Sequence, residues 1–263
     1  MKDIKLFLKN IKKYNKYAIR SAKAELKSEV TDSYLNWLWW IIEPLCFMII
    51  YTFIFSVVFK NNTKYFASFV FIGLTAWEFF NRMIVGSVRL IINNRGLVTK
   101  VYIPKYILLL SKSYTYLFKL FISLAITFGL MIFQGVPLTF KIFYFIPILI
   151  VLYVLSFGIG TILMHYGVLL NDLANLTNIV LRMVFYLSGI FFNIRQRLHG
   201  KLQYLLLRVN PAAFCMDELR KVLLEMRNPS FEGLLFWLVI GIILNIIGIH
   251  IIHKNENSYA KVI

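Results

Sequence analysis

YLNWLWWIIEPLCFMIIYTFIFSVVF, residues 34 to 59, is the stretch whose reading decides the fold. It opens with Trp37, Trp39 and Trp40 and then runs apolar to Phe59, interrupted by Glu43 and Pro44. A helix over residues 37 to 59 would be about 34 Å long at about 1.5 Å per residue, enough for a hydrocarbon core of about 30 Å. The stretch therefore reads as a membrane span with tryptophans at its interface. Glu43 is the residue that such a span has to explain.

The rest of the chain has the same character. Of 263 residues, 59% are hydrophobic and 16% charged, and the mean hydropathy is +0.71, far more apolar than a soluble domain of this size. A formal charge of +17 on such a chain fits basic cytoplasmic loops and membrane-surface segments better than nucleic-acid binding. Cys46 and Cys215 make neither a disulfide framework nor a metal pattern. No short apolar run with a small-residue cleavage site opens the chain, so no cleaved signal peptide is expected.

Outward from the first span, hydrophobic periodicity predicts an all-α integral membrane protein. Residues 1–33 carry nine Lys/Arg, with Phe7, Leu8, Ile11, Tyr14 and Ala18 on one helical face, and are expected as a cytoplasmic amphipathic interfacial helix. Residues 34–263 are expected as a six-span transmembrane domain, with spans at about 37–59, 66–88, 106–133, 143–170, 173–192 and 234–252. Lys112 and Lys119 in the third span are expected to snorkel. Ser156, Gly160 and Gly167 make a small-residue stripe on the fourth span, read as packing. Between the fifth and sixth spans, Asn210-Pro211 divides an amphipathic connection into two short helices. Six spans put both termini on one side. The cations before the first span, together with the four between Arg89 and Lys105, make that side the cytoplasm.

No hydrolase elbow, zinc-protease helix or phosphate-binding loop occurs, so any ATP hydrolysis is expected on a separate partner. The four histidines are dispersed, and no metal site is expected. Glu43, Glu78, Arg82 and Arg182 are charges inside apolar stretches and should face a bundle interior, a polar cavity or one another. Glu78 and Arg82, four residues apart, read either as a structural ion pair or as part of a pathway. Glu43 reads either as a shallow acid beside the tryptophans or as a lumen residue. Trp37, Trp39, Trp40, Tyr51, Phe55 and Phe59 of the first span, with Phe185, Tyr186, Phe191 and Phe192 of the fifth, either pack against lipid or line a passage on which sugar rings stack.

Taken together, SYLNWLWWIIEPLCFMIIYTFIF, FIGLTAWEFFNRMIVGSVRLIINNRGLVTKVYIPKYILLLSKS, NDLANL and RVNPAAFCMDELRKVLL, in this order behind a basic amphipathic helix, resemble the permease subunit of ATP-binding-cassette exporters of bacterial cell-surface polysaccharides. This is the O-antigen, capsule and teichoic-acid translocation family of type 2 exporters. The resemblance implies a homodimer in the bacterial cytoplasmic membrane, joined to two copies of a separate ATPase that binds ATP and Mg and moving a lipid-linked glycan outward. It implies no cofactor on this chain and no catalytic residue. It makes Gly96, Leu97, Val98, Lys100 and Pro104 the ATPase coupling segment, Asn210 and Pro211 part of short external gate helices, and Trp37, Trp39, Trp40, Tyr51, Phe55, Phe185, Tyr186 and Phe191 the aromatic lining. Leu35-Asn36-Trp37 departs from the small residue and glycine that usually precede the family's first-span tryptophan. The rival readings are a type 2 permease for a drug or small lipid, and a membrane-embedded glycan transferase.

Overall fold

Every regular element is a helix among the residues that the computed structural model describes, which are 2–31, 34–55, 64–137, 139–197, 200–256 and 258–259. The end of the expected first span at 56–59, most of the loop after it, the boundary at 32–33 and His199 lie outside the described residues. In chain order the elements are α1 (Lys2–Thr31), a 3-10 turn (Asn36–Leu38), α2 (Trp39–Phe53), α3 (Phe66–Val88), α4 (Leu90–Asn93), α5 (Arg95–Lys100) and α6 (Lys105–Phe133). A second 3-10 turn (Phe140–Tyr144) leads into α7 (Phe145–Leu169), followed by α8 (Leu173–Leu187), α9 (Ile194–Arg197), α10 (Lys201–Val209), α11 (Pro211–Leu223) and α12 (Phe231–Lys254).

Five of these, Asn36–Phe53, α3, α6, Phe140–Leu169 and α12, are long and apolar enough to cross a membrane. The expected fifth span, 173–192, differs. Its helix α8 stops at Leu187 after 15 residues, about 22 Å at about 1.5 Å per residue. The chain then turns at Gly189, whose φ of +66° favours glycine.

The core forms around α3, which is buried along most of its length and packs on α6 and α7. Close approach is possible because the contacts use small residues. A Cβ on Gly167 would lie 1.8 Å from the carbonyl oxygen of Val88, so α7 and the end of α3 meet backbone to side. Gly160 of the same stripe faces Ser87 and Leu109. α12 lies along the other side of α7, where Asn245 Nδ2 donates to the Val154 carbonyl at 2.7 Å.

The basic helix α1 packs along the first half of α6. Ala18 and Ala22 are buried in that seam. Asn10 Nδ2 donates to the Tyr106 hydroxyl at 2.7 Å, and Tyr114 donates to Asn15 Oδ1 at 2.8 Å. Lys112 pairs with Glu25, and Lys119 pairs with Glu29 at 2.6 Å. These cations meet acids of α1 instead of snorkelling, because α1 brings carboxylates within their reach. The C-terminal segment meets the same end of the bundle: the Tyr102 hydroxyl donates to Glu256 at 3.3 Å, and the Tyr259 hydroxyl lies 2.7 Å from His165 Nδ1.

Candidate functional site

A cavity of about 270 Å³ opens between α2, α3 and α6 and is closed on one side by Phe185 of α8. Helical periodicity puts its lining together. Trp40, Glu43, Phe47 and Tyr51 recur every three or four residues along one face of α2. Phe71, Thr75, Glu78 and Arg82 do the same on α3, and Tyr116, Lys119 and Ser123 on α6. Arg82 is the centre of its charge. Its Nε donates to Glu78 Oε2 at 2.8 Å, and its Nη2 lies 3.7 Å from Glu43 Oε2. The spacing of Glu78 and Arg82 foretells the first pair. The second joins α2 to α3 and has no local signal.

Of the expected aromatic residues, Trp40, Tyr51 and Phe185 line this cavity. Trp40 also packs edge-on against Phe118 with centroids 5.5 Å apart. Trp37 and Trp39 are exposed and lie outside it. Phe55 stacks parallel on Phe191 at 4.5 Å, Tyr51 meets the same ring at 4.5 Å, and Phe185 meets it edge-on at 5.5 Å. A buried tryptophan of α3, Trp77, adds to this cluster through Phe185 at 5.4 Å. It lies in the second quoted motif, but nothing in its local pattern separates it from ordinary core. Tyr186 and Arg182 lie beyond Phe185, in a neighbouring recess of about 520 Å³ shared with Asn81 and Asn178. The structure therefore brings Glu43, Glu78 and Arg82 together and sets Arg182 apart.

The segment after α8 leaves the helix at Ser188, and backbone that is no longer helical needs partners if it is kept from water. Arg220 supplies them. Its guanidinium donates to the carbonyls of Gly189 and Ile190, each at 2.7 Å, and to that of Phe69 at 3.0 Å. Arg220 lies in the charged connection between the expected fifth and sixth spans, yet it is buried, as is nearly all of α11. Arg195 of α9 donates to Asp217 at 2.6 Å and to the fully buried Glu218 at 2.9 Å, and Glu218 also accepts the Ser230 N–H at 2.8 Å. Asn210 Oδ1 caps α11 through the Ala213 N–H at 3.1 Å, with Pro211 in the first turn. Its Nδ2 donates to Ser188 Oγ at 2.8 Å, so the Asn210-Pro211 junction is tied to the turn at the end of α8.

At the end of the bundle that carries α1, the five residues assigned to coupling fall into two groups. Gly96 and Lys100 of α5 are exposed, and a side chain on Gly96 would meet open space. Val98 and Pro104 are buried, and Leu97 is half-buried against the core. Nearby, the Glu256 carboxylate pushes the Tyr102 hydroxyl above its ordinary pKa, which keeps it a donor. Among the described residues, no group of three His, Cys, Asp or Glu is placed to hold a metal ion.

Comparison with known proteins fits this arrangement. The family model of the ABC-2 type transporter matches residues 19–224. The chain is 24% identical over 254 residues to the O-antigen export system permease protein RfbA of Myxococcus xanthus, covering 97% of this chain and 98% of the relative. To a protein of the same name from Klebsiella pneumoniae it is 23% identical over 241 residues, covering 91% and 92%. Because the family match runs from the second half of α1 through the whole of α11, the chain, a multi-pass membrane protein, belongs to the ABC-2 type transporter family.

Proposed function

We propose that the chain is the permease subunit of an ATP-driven exporter that moves a lipid-linked polysaccharide across the bacterial cytoplasmic membrane. The observation that carries this reading is the cavity between α2, α3 and α6, where aromatic rings stand beside a Glu43–Arg82–Glu78 charge cluster at the edge of the protomer. Flat rings beside polar groups suit a sugar, whose C–H faces stack on the rings and whose hydroxyls need hydrogen-bond partners. The full-length likeness to relatives named O-antigen export permeases supports the same substrate class.

In this reading α8, lengthened by the turn clasped at Arg220, serves as a sixth span. Two protomers face each other across α2 and α8, whose outward surfaces are apolar and largely uncovered. α10 and α11 gate the outer end, with both termini in the cytoplasm. The ATPase is a separate subunit carrying ATP and Mg, and it docks at the end of the bundle where α5 exposes Gly96 and Lys100.

The test is transport. Inverted vesicles holding the chain, its ATPase and a labelled lipid-linked glycan should move the glycan into the lumen when ATP is added, and vesicles lacking either subunit should not. ATP-driven movement of a hydrophobic drug with the glycan ignored would refute the assignment.

A further inference from the structure

We infer that the recess between α3 and α8 is a subsite for the phosphate group of an amphiphilic phosphate ester, which Arg182 clasps with Asn81, Asn178 and Tyr186 while Trp77 and Phe185 meet the apolar chain. This rests on the export reading above for the identity of the ester, which is the lipid end of the cargo.

Unmade bonds point to a ligand. Cations inside the long apolar helices are matched: Arg82 by Glu78 and Glu43, Lys112 by Glu25, and Lys119 by Glu29. Arg182 of α8 has no ion pair or hydrogen bond among the described residues, and no acid lines its recess. A charge in that state within an apolar helix is costly and calls for a counter-ion. The carboxamides of Asn81 and Asn178 and the Tyr186 hydroxyl line the same space, and they too make no hydrogen bond among the described residues. An asparagine packed between helices elsewhere in the bundle does, since Asn245 donates to the Val154 and Gly241 carbonyls at 2.7 Å each.

Helical spacing builds the recess. Asn178, Arg182 and Tyr186 recur every four residues on α8, and Trp77 and Asn81 do so on α3. The stripe on α8 begins at Asn171 and Asn175, both exposed, at the end of the bundle that carries α1, so an anion can pass inward from that end. Its flanks are apolar and exposed at Leu176, Ile179 and Met183, which lets a chain attached to the anion stay out of water.

The chemistry selects an amphiphilic phosphate. Every polar side chain lining the recess can donate: a guanidinium fork, two carboxamides and a phenol. A phosphate monoester offers three free oxygens to such a set and takes the fork bidentately, whereas a carboxylate offers two. About 520 Å³ falls within the range of about 300–1,000 Å³ usual for bound ligands, room for a headgroup and the first carbons of its chain. Trp77 is buried and meets Phe185 edge-on, with centroids 5.4 Å apart. A free ion against that apolar wall would lose water without replacing it.

The experiment is photo-cross-linking of the full chain in phosphatidylcholine nanodiscs. The probe is a dodecyl phosphate with a diazirine on its chain, and peptide mass spectrometry is the readout. Label should concentrate on the α3 and α8 peptides that line the recess. Unlabelled dodecyl phosphate should displace it at a mole fraction at least tenfold below those of dodecanol and laurate. Arg182→Gln should raise the mole fraction of dodecyl phosphate that halves labelling at least tenfold, as the loss of a hydrogen-bonded charge implies. Arg182→Lys, which keeps the charge without the fork, should raise it less. Label spread evenly over the exposed face of α12, displacement by dodecanol as readily as by the phosphate, or an Arg182→Gln variant that labels like the parent would each overturn the subsite. Displacement by inorganic phosphate would make the ligand a free ion, and displacement by phosphatidylglycerol would make it bulk phospholipid; either overturns the assignment to cargo. So would a lower unfolding temperature of Arg182→Gln before any probe is added, which marks a structural cation. The export reading is tested separately by ATP-driven transport. Selective labelling without transport would sink that reading alone, and transport without labelling here would sink only the subsite.

Discussion

The guanidinium of Arg220 lies on the ring of Phe69, its central carbon 3.6 Å from the ring centroid, while its nitrogens hold three backbone carbonyls. Gly73 makes room for it, since a Cβ there would sit 2.3 Å from Arg220 Nη2. The planar fork is what this place requires, because a lysine ammonium is a point charge on a flexible stem. Arg220→Lys should leave carbonyls at the α8 turn unpaired and lower stability by about 3 kcal/mol. Thermal unfolding in detergent, followed by size-exclusion chromatography, measures this. A variant as stable as the parent would show that the clasp is dispensable.

Gly167 and Gly96 should respond in opposite ways. Gly167→Ala forces a Cβ against the Val88 carbonyl, a backbone atom that cannot swing aside, and overpacking of this kind costs about 1–3 kcal/mol. Gly96→Ala meets nothing, and in α5 it should be neutral or stabilising by up to about 1 kcal/mol. Parallel unfolding curves of the two variants decide it.

Docking of an ATPase on α5 is best probed where the chain is open. Gly96→Trp and Lys100→Glu change exposed positions without touching the core. Each should leave the permease folded and cut stimulated ATP hydrolysis at least tenfold. Val98→Asp would be a poor probe, because Val98 is buried and the change would damage the fold directly. Full ATPase stimulation in both exposed variants would move the docking surface elsewhere.

The Lys119–Glu29 pair, at 2.6 Å and partly buried, fastens the end of α1 to α6. Lys119→Glu should loosen α1 and raise its sensitivity to limited proteolysis. The exchanged pair, Lys119→Glu with Glu29→Lys, should recover most of the loss. A coupling energy of about 1 kcal/mol in the double-mutant cycle is expected, and none at all would mean that the pair does not hold the helix and that the buried seam at Ala18 and Ala22 and the other contacts of α1 with α6 do.

What local spacing encodes, the sequence makes legible. The Glu78–Arg82 pair follows from a separation of four residues, the break at Asn210-Pro211 from proline chemistry and an Asn cap, and the long spans from unbroken apolar runs. The illegible parts depend on which helices become neighbours. Glu43 reaches Arg82 across two helices, Lys119 finds Glu29 across 90 residues of chain, and Arg220 finds the Phe69 carbonyl across 151. A charge on α11 between apolar Leu219, Val222 and Leu223 was the available hint that Arg220 turns inward.

The contrast between α2 and α3 also bears on how such a chain can change. Within the protomer α3 is surrounded on most sides, whereas Met48 is the one buried residue described on α2. A substitution on α3 is tested first by the fold, and many will fail there. One on α2 is judged mainly by what lies outside the protomer, whether lipid, a second copy or cargo. New cargo preferences can therefore accumulate on α2 as nearly neutral drift, with the architecture behind it left intact.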